Sequence, residues 1–152
     1  MLEDKLQQDI KTALLAGDSV KATTLRGLHA TLLDLKIKEG KRDSGLNDEE
    51  VLRVFAKESK KRQESAEMYK KGDAQERADA ELTEKAIIDA YLPEQLSEEE
   101  IAKMADQVIS ESGASSMADM GKVIGLVKSK AGSAADGSVI AKIVKEKLAW
   151  FF

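Results

Sequence analysis

Residues able to do acid–base, nucleophilic or metal chemistry are few and scattered in this chain. Histidine occurs once, at His29, and cysteine is absent. No Cys–His pair can therefore form, and no Ser–His–Asp set or nucleophile elbow is spelled out. His29 falls within an apolar stripe and reads as a structural or surface histidine. The acidic pairs Glu49-Glu50 and Glu98-Glu99 both stand where a helix is expected to begin. The positive end of the helix dipole accounts for them there without a metal. A GxxxxGK[ST] phosphate loop does not occur. These residues predict no catalytic centre in the chain alone, no metal and no cofactor.

Three polar features remain, and each suits contact better than bond-breaking. The first is the run Lys57 to Ser65. Glu58 and Arg62 stand four apart in the order that favours pairing on one helical face, while Lys57, Lys61 and Ser65 line an adjacent face. That run is a solvated surface or a second binding surface for a ligand or RNA. The second feature is Gly121 and Gly125, four apart in a helix. Glycine inside a helix costs about 1 kcal/mol relative to alanine. A closely packed neighbouring helix is the expected reason, with close approach of a ligand as the other reading. The third is Ala135-Asp136-Gly137. Asp136 reads as a helix N-cap whose neighbouring amides could receive a phosphate, with the capping carboxylate in competition.

Charge separates the ends of the chain. The net charge is −4, which argues against general nucleic-acid binding, because phosphate contacts need clustered cations. Residues 94–111 carry six acids and one lysine, whereas residues 117–152 carry six lysines and three acids. Polyanion contact is thus expected at the C-terminal end. Aromatics make up only 4% and are not interleaved with the lysines, so base stacking is not expected to drive recognition.

The elements that must position these residues are helices. Composition is 42% apolar and 34% charged, and Glu, Lys, Ala and Leu dominate, a mixture that favours helix over strand. Leu2, Leu6, Ile10 and Leu14 mark one face of a first helix, broken at Gly17-Asp18. Leu25, Leu28, Leu32 and Leu35 mark a second, ending at Gly40. Asn47 with Glu50 forms a capping box for a third helix that Gly72 closes. Asp73 with Glu76 caps a fourth, with Leu82, Ala86, Ile87, Ile88 and Tyr91 inward. Pro93, the only proline, stops it. Ser97 with Glu100 opens a fifth helix with Ile101, Met104, Ala105 and Val108 inward. Ser116 opens a sixth, with Met117, Met120, Ile124 and Val127 inward. Asp136 opens a seventh with Ile140, Ile143, Val144 and Leu148 inward. The predicted fold is all-α: a domain of about four helices over residues 1–93, then a three-helix domain over 94–152.

No apolar run reaches 18 residues, so no membrane span is expected. Met1-Leu2-Glu3-Asp4 lacks the basic-then-apolar pattern of a secretory signal. With no cysteine to oxidise, a reducing cytoplasm is the expected location.

Leu92-Pro93-Glu94-Gln95-Leu96-Ser97, the run Gly113 to Gly125 and Ala135-Asp136-Gly137 resemble the GatB/YqeY family. Thr24-Leu25-Arg26 and Lys57 to Ser65 resemble its free-standing YqeY-like members. The resemblance spans nearly the whole chain and departs from the family pattern at Lys128 and Ala134. It implies an N-terminal helical domain and a three-helix C-terminal domain. That second domain is similar to the tail of the B subunit of the glutamine-dependent aspartyl/glutamyl-tRNA amidotransferase. The kinship implies a tRNA-binding or tRNA-associated accessory protein, with tRNA or a tRNA-charging or amidotransferase complex as partner and no DNA or membrane. Lys122, Lys128, Lys130, Lys142 and Lys145 are then the phosphate-contacting residues. Gly121, Gly125, Asp136 and Gly137 are the family motif. Free-standing members are labelled carbon–nitrogen ligases by the same kinship, an activity expected only within a complex, because the catalytic body is missing here. A protein–protein adaptor, docking through Trp150-Phe151-Phe152 or the acidic fifth helix, is the alternative.

Overall fold

The computed structural model describes residues 1–149. The Trp150–Phe152 tail, the expected adaptor element, lies outside the described residues. The described chain forms seven α-helices and two short 3-10 turns, and it contains no strand. It divides into two compact units between Leu92 and Pro93. Pro93 thus falls with the second unit, and the reason is local. Just after it, the Leu96 amide donates to the Ala134 carbonyl at 2.8 Å, and Gln95 Nε2 donates to the Ser133 carbonyl at 3.1 Å.

In the first unit, α1 (Leu2–Ala16) and α2 (Ser19–Lys38) pack through a tight turn. Gly17 takes a left-handed φ of 73° there, and the Asp18 carboxylate accepts from the Lys21 amide, so one helix is stopped and the next capped within two residues. The four-residue leucine spacing in α1 is not held to the end. A step of four overshoots a helical turn by about 40°. Ala13 is consequently the buried residue of the last turn, and Leu14 is 49% exposed.

The third helix, α3 (Asp48–Lys71), starts in the predicted capping box. Asn47 Oδ1 accepts from the Glu50 amide at 2.8 Å and Glu50 Oε1 accepts from the Asn47 amide at 3.2 Å. The fourth, α4 (Gln75–Asp89), does not start as predicted. Its N-cap is Ala74 with no side-chain cap, and Asp73 sits in the left-handed region at φ 57°. The chain reverses so sharply after Lys71 that Asp73 is consumed by the turn: its amide donates to Lys70 and the Ala74 amide to Tyr69. Ala86 is exposed rather than inward, and Ala78 and Ile88 are the buried residues of α4.

Phe55 is completely buried in the core of this unit with Leu6, Leu25, Leu28, Leu32, Val51 and Ile88. Its ring meets Tyr91 edge-on, centroids 5.3 Å apart. The Tyr91 hydroxyl donates to Asp9, which also accepts from Lys5 at 2.8 Å. The Lys5 ammonium lies 5.0 Å above the Tyr91 ring. Burial, reinforced by the Asp9 carboxylate, pushes the Tyr91 hydroxyl above the usual phenol range. Glu3 makes a second anchor. It pairs with Lys36 at 2.7 Å and accepts the Leu46 amide at 3.1 Å, tying the α2–α3 loop to both preceding helices.

Burial opposes ionisation of both Asp9 and Glu3, but their hydrogen bonds and cations outweigh it and hold both carboxyls below their ordinary values. A carboxyl with a lowered folded-state pKa contributes stability that is complete above its unfolded value and is lost as pH falls through the folded value. The first unit is therefore expected to lose stability below the ordinary values of 3.8 and 4.5. Melting temperature measured against pH should fall less steeply in Glu3→Gln and Asp9→Asn than in the wild type over that acid range. Parallel curves would contradict the assignment.

In the second unit, α5 (Glu98–Ser112) opens in the Ser97–Glu100 capping box and ends at Gly113 with φ 71°. A 3-10 turn at Met117–Asp119 precedes α6 (Met120–Ala131), and a second at Gly132–Ala134 precedes α7 (Gly137–Ala149). All three helices pack on one another around Ile101, Ala105, Val108, Val123, Val127 and the inner face of α7. Ile140, Ile143, Val144 and Leu148 are buried as the spacing predicts. In α6 Val123 is completely buried although it is outside the predicted inward set, and Met117, Met120 and Ile124 pack only partly. The early 3-10 turn shifts the phase of the following helix.

Candidate nucleic-acid interface

On α6, Val123 and Val127 point into the core. Successive residues turn about 100°, so the opposite side carries Gly121 and Gly125. Lys128 stands beside them on one flank and Lys122 on the other, and all four are exposed. Among the described residues no helix packs against the two glycines as expected. A Cβ added at either would meet nothing within 4 Å. The glycines form an open backbone floor between two lysine stems.

Lys128 reaches the start of α7. Its ammonium lies 3.3 Å from where a Cβ on Gly137 would stand. Asp136, just before, accepts from the Ser138 amide at 3.1 Å and from the Ser138 hydroxyl at 2.9 Å. The N-cap reading thus fits the geometry, and Lys128 is brought to the family triplet across the α6–α7 turn. Lys142 and Lys145 are exposed on the outer side of α7. Among the described residues no acid pairs with Lys122, Lys128, Lys142 or Lys145. Lys130 differs: it turns toward α5 and lies 3.5 Å from Glu111. Lys147 is likewise held by Asp106 at 2.8 Å.

The glycine floor yields a stability test. With no neighbour to exploit their small size, Gly121→Ala and Gly125→Ala should each stabilise the second unit by about 0.5–1 kcal/mol through backbone entropy and helix propensity. Urea unfolding followed by circular dichroism checks this. Destabilisation by either substitution would show that a Cβ is not tolerated there.

The Lys57–Ser65 run is divided by the structure. Arg62 pairs with Glu58 at 2.6 Å as the spacing predicts, and it also turns toward α4, where Nε lies 3.6 Å from Glu84. Lys57 and Lys61 are exposed, and Lys61 lies 3.4 Å from Glu58. Ser65 is half-buried. Sequence reasoning missed Ser59, which is 5% exposed in the middle of that polar run. Its hydroxyl donates to Asp89 at 2.5 Å, and Asp89 accepts Lys85 at 2.6 Å. The signal was present in spacing: Val51, Phe55 and Ser59 step by four. This part of α3 is therefore a helix–helix seam with an outer basic edge.

His29 is half-buried and its Nε2 lies 3.5 Å from Gln7 Nε2. Among the described residues no cluster of three or more His, Asp or Glu side chains is spaced to hold a metal ion, and no helix is long and apolar enough to cross a membrane.

Residues 3–148 match the family described as "Yqey-like protein". The chain belongs to this family. Two curated relatives are similar to it. The protein named "Altered inheritance of mitochondria protein 41, mitochondrial" of Eremothecium gossypii is 33% identical over 108 residues, which are 70% of this chain and 58% of that protein. Its namesake in Kluyveromyces lactis is 30% identical over 86 residues, 57% of this chain and 45% of that protein. The chain thus matches about half the length of these relatives. The match places the two helical units, and the lysines of α6 and α7, inside one YqeY-like sequence.

Proposed function

We propose that this YqeY-like chain is a tRNA-binding or tRNA-associated accessory protein whose second unit contacts RNA phosphates. The observation that carries the reading is the outer surface of α6 and α7. There Lys122 and Lys128 flank a helix backbone bared by Gly121 and Gly125, Lys142 and Lys145 stand exposed on the outer side of α7, and none of the four has an acid partner among the described residues. Lysine supplies compact cations suited to phosphate oxygens, not to base edges. Recognition is then weakly sequence-specific and strongly salt-dependent. The net charge of −4 does not oppose it, because a local basic surface is what a polyanion meets. The resemblance of the second unit's sequence to the amidotransferase B-subunit tail favours tRNA as the RNA class. The chain supplies no chemistry of its own in this reading and acts within a tRNA-charging or amidotransferase complex. The proposal includes a reducing, cytoplasmic setting, in keeping with the absence of cysteine; the two relatives are named as mitochondrial.

A mobility-shift titration with bulk tRNA at low salt tests the proposal. Retention that weakens steeply as salt rises is expected. No retention at tens of micromolar protein, roughly the range of non-specific phosphate binding, would overturn it.

A further inference from the structure

The outer side of α3 carries a basic row. Val51, Phe55 and Ser59 are its buried residues in this stretch. Arg53, Lys57 and Lys61 each follow one of them by two positions, a turn of about 200°. They therefore stand on the opposite side, where all three are exposed. From Val51 to Gln63 the exposed residues are Arg53, Lys57, Lys60 and Lys61, all of them cations. Glu58, the one acid in that stretch, is half-buried; it holds Arg62 at 2.6 Å and reaches Lys61 only at 3.4 Å. Arg53 and Lys57 have no ion pair among the described residues. Exposed acids bound the row, with Glu49 before it and Glu64 and Glu67 after it.

Charge alone does not choose a partner, but the rest of the row does. Protein interfaces are anchored by buried apolar and aromatic side chains and are poor in lysine. No exposed apolar or aromatic side chain lies between Arg53 and Lys61. A phosphate strand needs no such anchor, only cations at intervals. Arg53, Lys57 and Lys61 supply them about 6 Å apart along the helix axis, close to the separation of neighbouring phosphates on one strand. The row drifts by about 40° at each step, so a strand that follows it crosses α3 obliquely.

We propose that this edge of α3 is a second RNA-phosphate site, so that tRNA is held by both units of the chain. The proposal rests on the RNA reading of the second unit. Arg53, Lys57 and Lys61 make the phosphate contacts. Arg62, engaged by Glu58 and Glu84, and the half-buried Ser65 fall outside the site. Two weak phosphate contacts on one chain reinforce each other, because once one is made the other forms at high effective concentration. Neither unit then needs a strong or base-specific contact of its own.

The test titrates full-length variants against bulk tRNA by mobility shift at several salt concentrations. The triple variant Arg53→Gln/Lys57→Gln/Lys61→Gln should lose about tenfold or more in affinity at low salt. Its slope of log affinity against log salt should become shallower by roughly two to three units. Glu64→Lys extends the row past its acidic end. It should raise affinity and steepen the slope by about one unit, a gain that impaired folding cannot imitate. All four positions are exposed, so helicity by circular dichroism should not change. The outcomes separate this site from that of the second unit. Suppose that replacing Lys122, Lys128, Lys142 and Lys145 weakens binding. A triple variant with wild-type affinity and slope, or a Glu64→Lys variant that gains nothing, would then overturn the α3 site alone and leave that edge to an acidic protein. A weakened triple variant beside an unaffected fourfold one would support the α3 site and overturn the other. No retention of tRNA by the wild type would overturn both.

Discussion

Phe55→Ala is expected to destabilise the first unit by about 3–5 kcal/mol, the range for emptying a fully buried aromatic site. Such a loss is a large part of the roughly 5–15 kcal/mol that holds a typical domain folded. Three features place Phe55 at the top of that range. Its side chain is completely buried. Its edge-on contact with Tyr91 carries stabilisation beyond area alone. Tyr91 is in turn held by Asp9, so the cavity cannot be filled by Tyr91 without breaking that hydrogen bond. Urea unfolding followed by helicity checks the prediction. Phe55→Leu, which keeps most of the volume, should retain most of the stability. An alanine variant within about 1 kcal/mol of the wild type would show that the site collapses freely.

Much of the fold was legible because its helices obey local rules. Asn47 and Ser97 each had a glutamate three residues on, and both capping boxes form. Leu25, Leu28 and Leu32 step by turns of the helix, and all three are buried. The misreadings have physical causes rather than a common one. Leu14 failed because four is not the helical period. Asp73 failed because a tight α3–α4 reversal recruited it to a left-handed turn position, and a cap signal does not reveal the path of the chain before it. Ser59 has the spacing of the buried face, four residues on from Phe55, but its polar type masks that place and is explained only by its partner, Asp89, thirty residues away.

The candidate site was legible in part for a different reason. Sequence gives a lysine's place on its own helix, but not whether another helix supplies an acid to it. The difference between Lys130, turned toward Glu111, and Lys122, without such a partner among the described residues, is a tertiary fact. So is the openness above Gly121 and Gly125. The glycine spacing alone was compatible with a packed neighbour, and only the empty space around both positions separates a packing motif from an accessible one. Lys128 is the reverse case: a residue that departs from the family pattern is the one delivered to Gly137.

The proposed RNA surface yields the second large effect. Replacing Lys122, Lys128, Lys142 and Lys145 together by glutamine should lower tRNA affinity on the order of 100-fold at low salt, because each phosphate that is no longer neutralised keeps its counterions. The slope of log affinity against log salt should become shallower by roughly one unit for each phosphate the variant ceases to engage. Lys130→Gln should do less than any one of the four, since Glu111 already competes for that ammonium. The substitutions lie on exposed positions, so helicity and unfolding midpoint should not change, which separates impaired binding from impaired folding. Affinity and salt slope that both stay at wild-type values in the fourfold variant, with tRNA retained, would move the contact to another surface; the basic edge of α3 at Lys57 and Lys61 is the next to substitute. A fall in affinity with an unchanged salt slope would argue instead for non-ionic contacts along the glycine floor, and Gly121→Ala would then weaken binding while stabilising the helix.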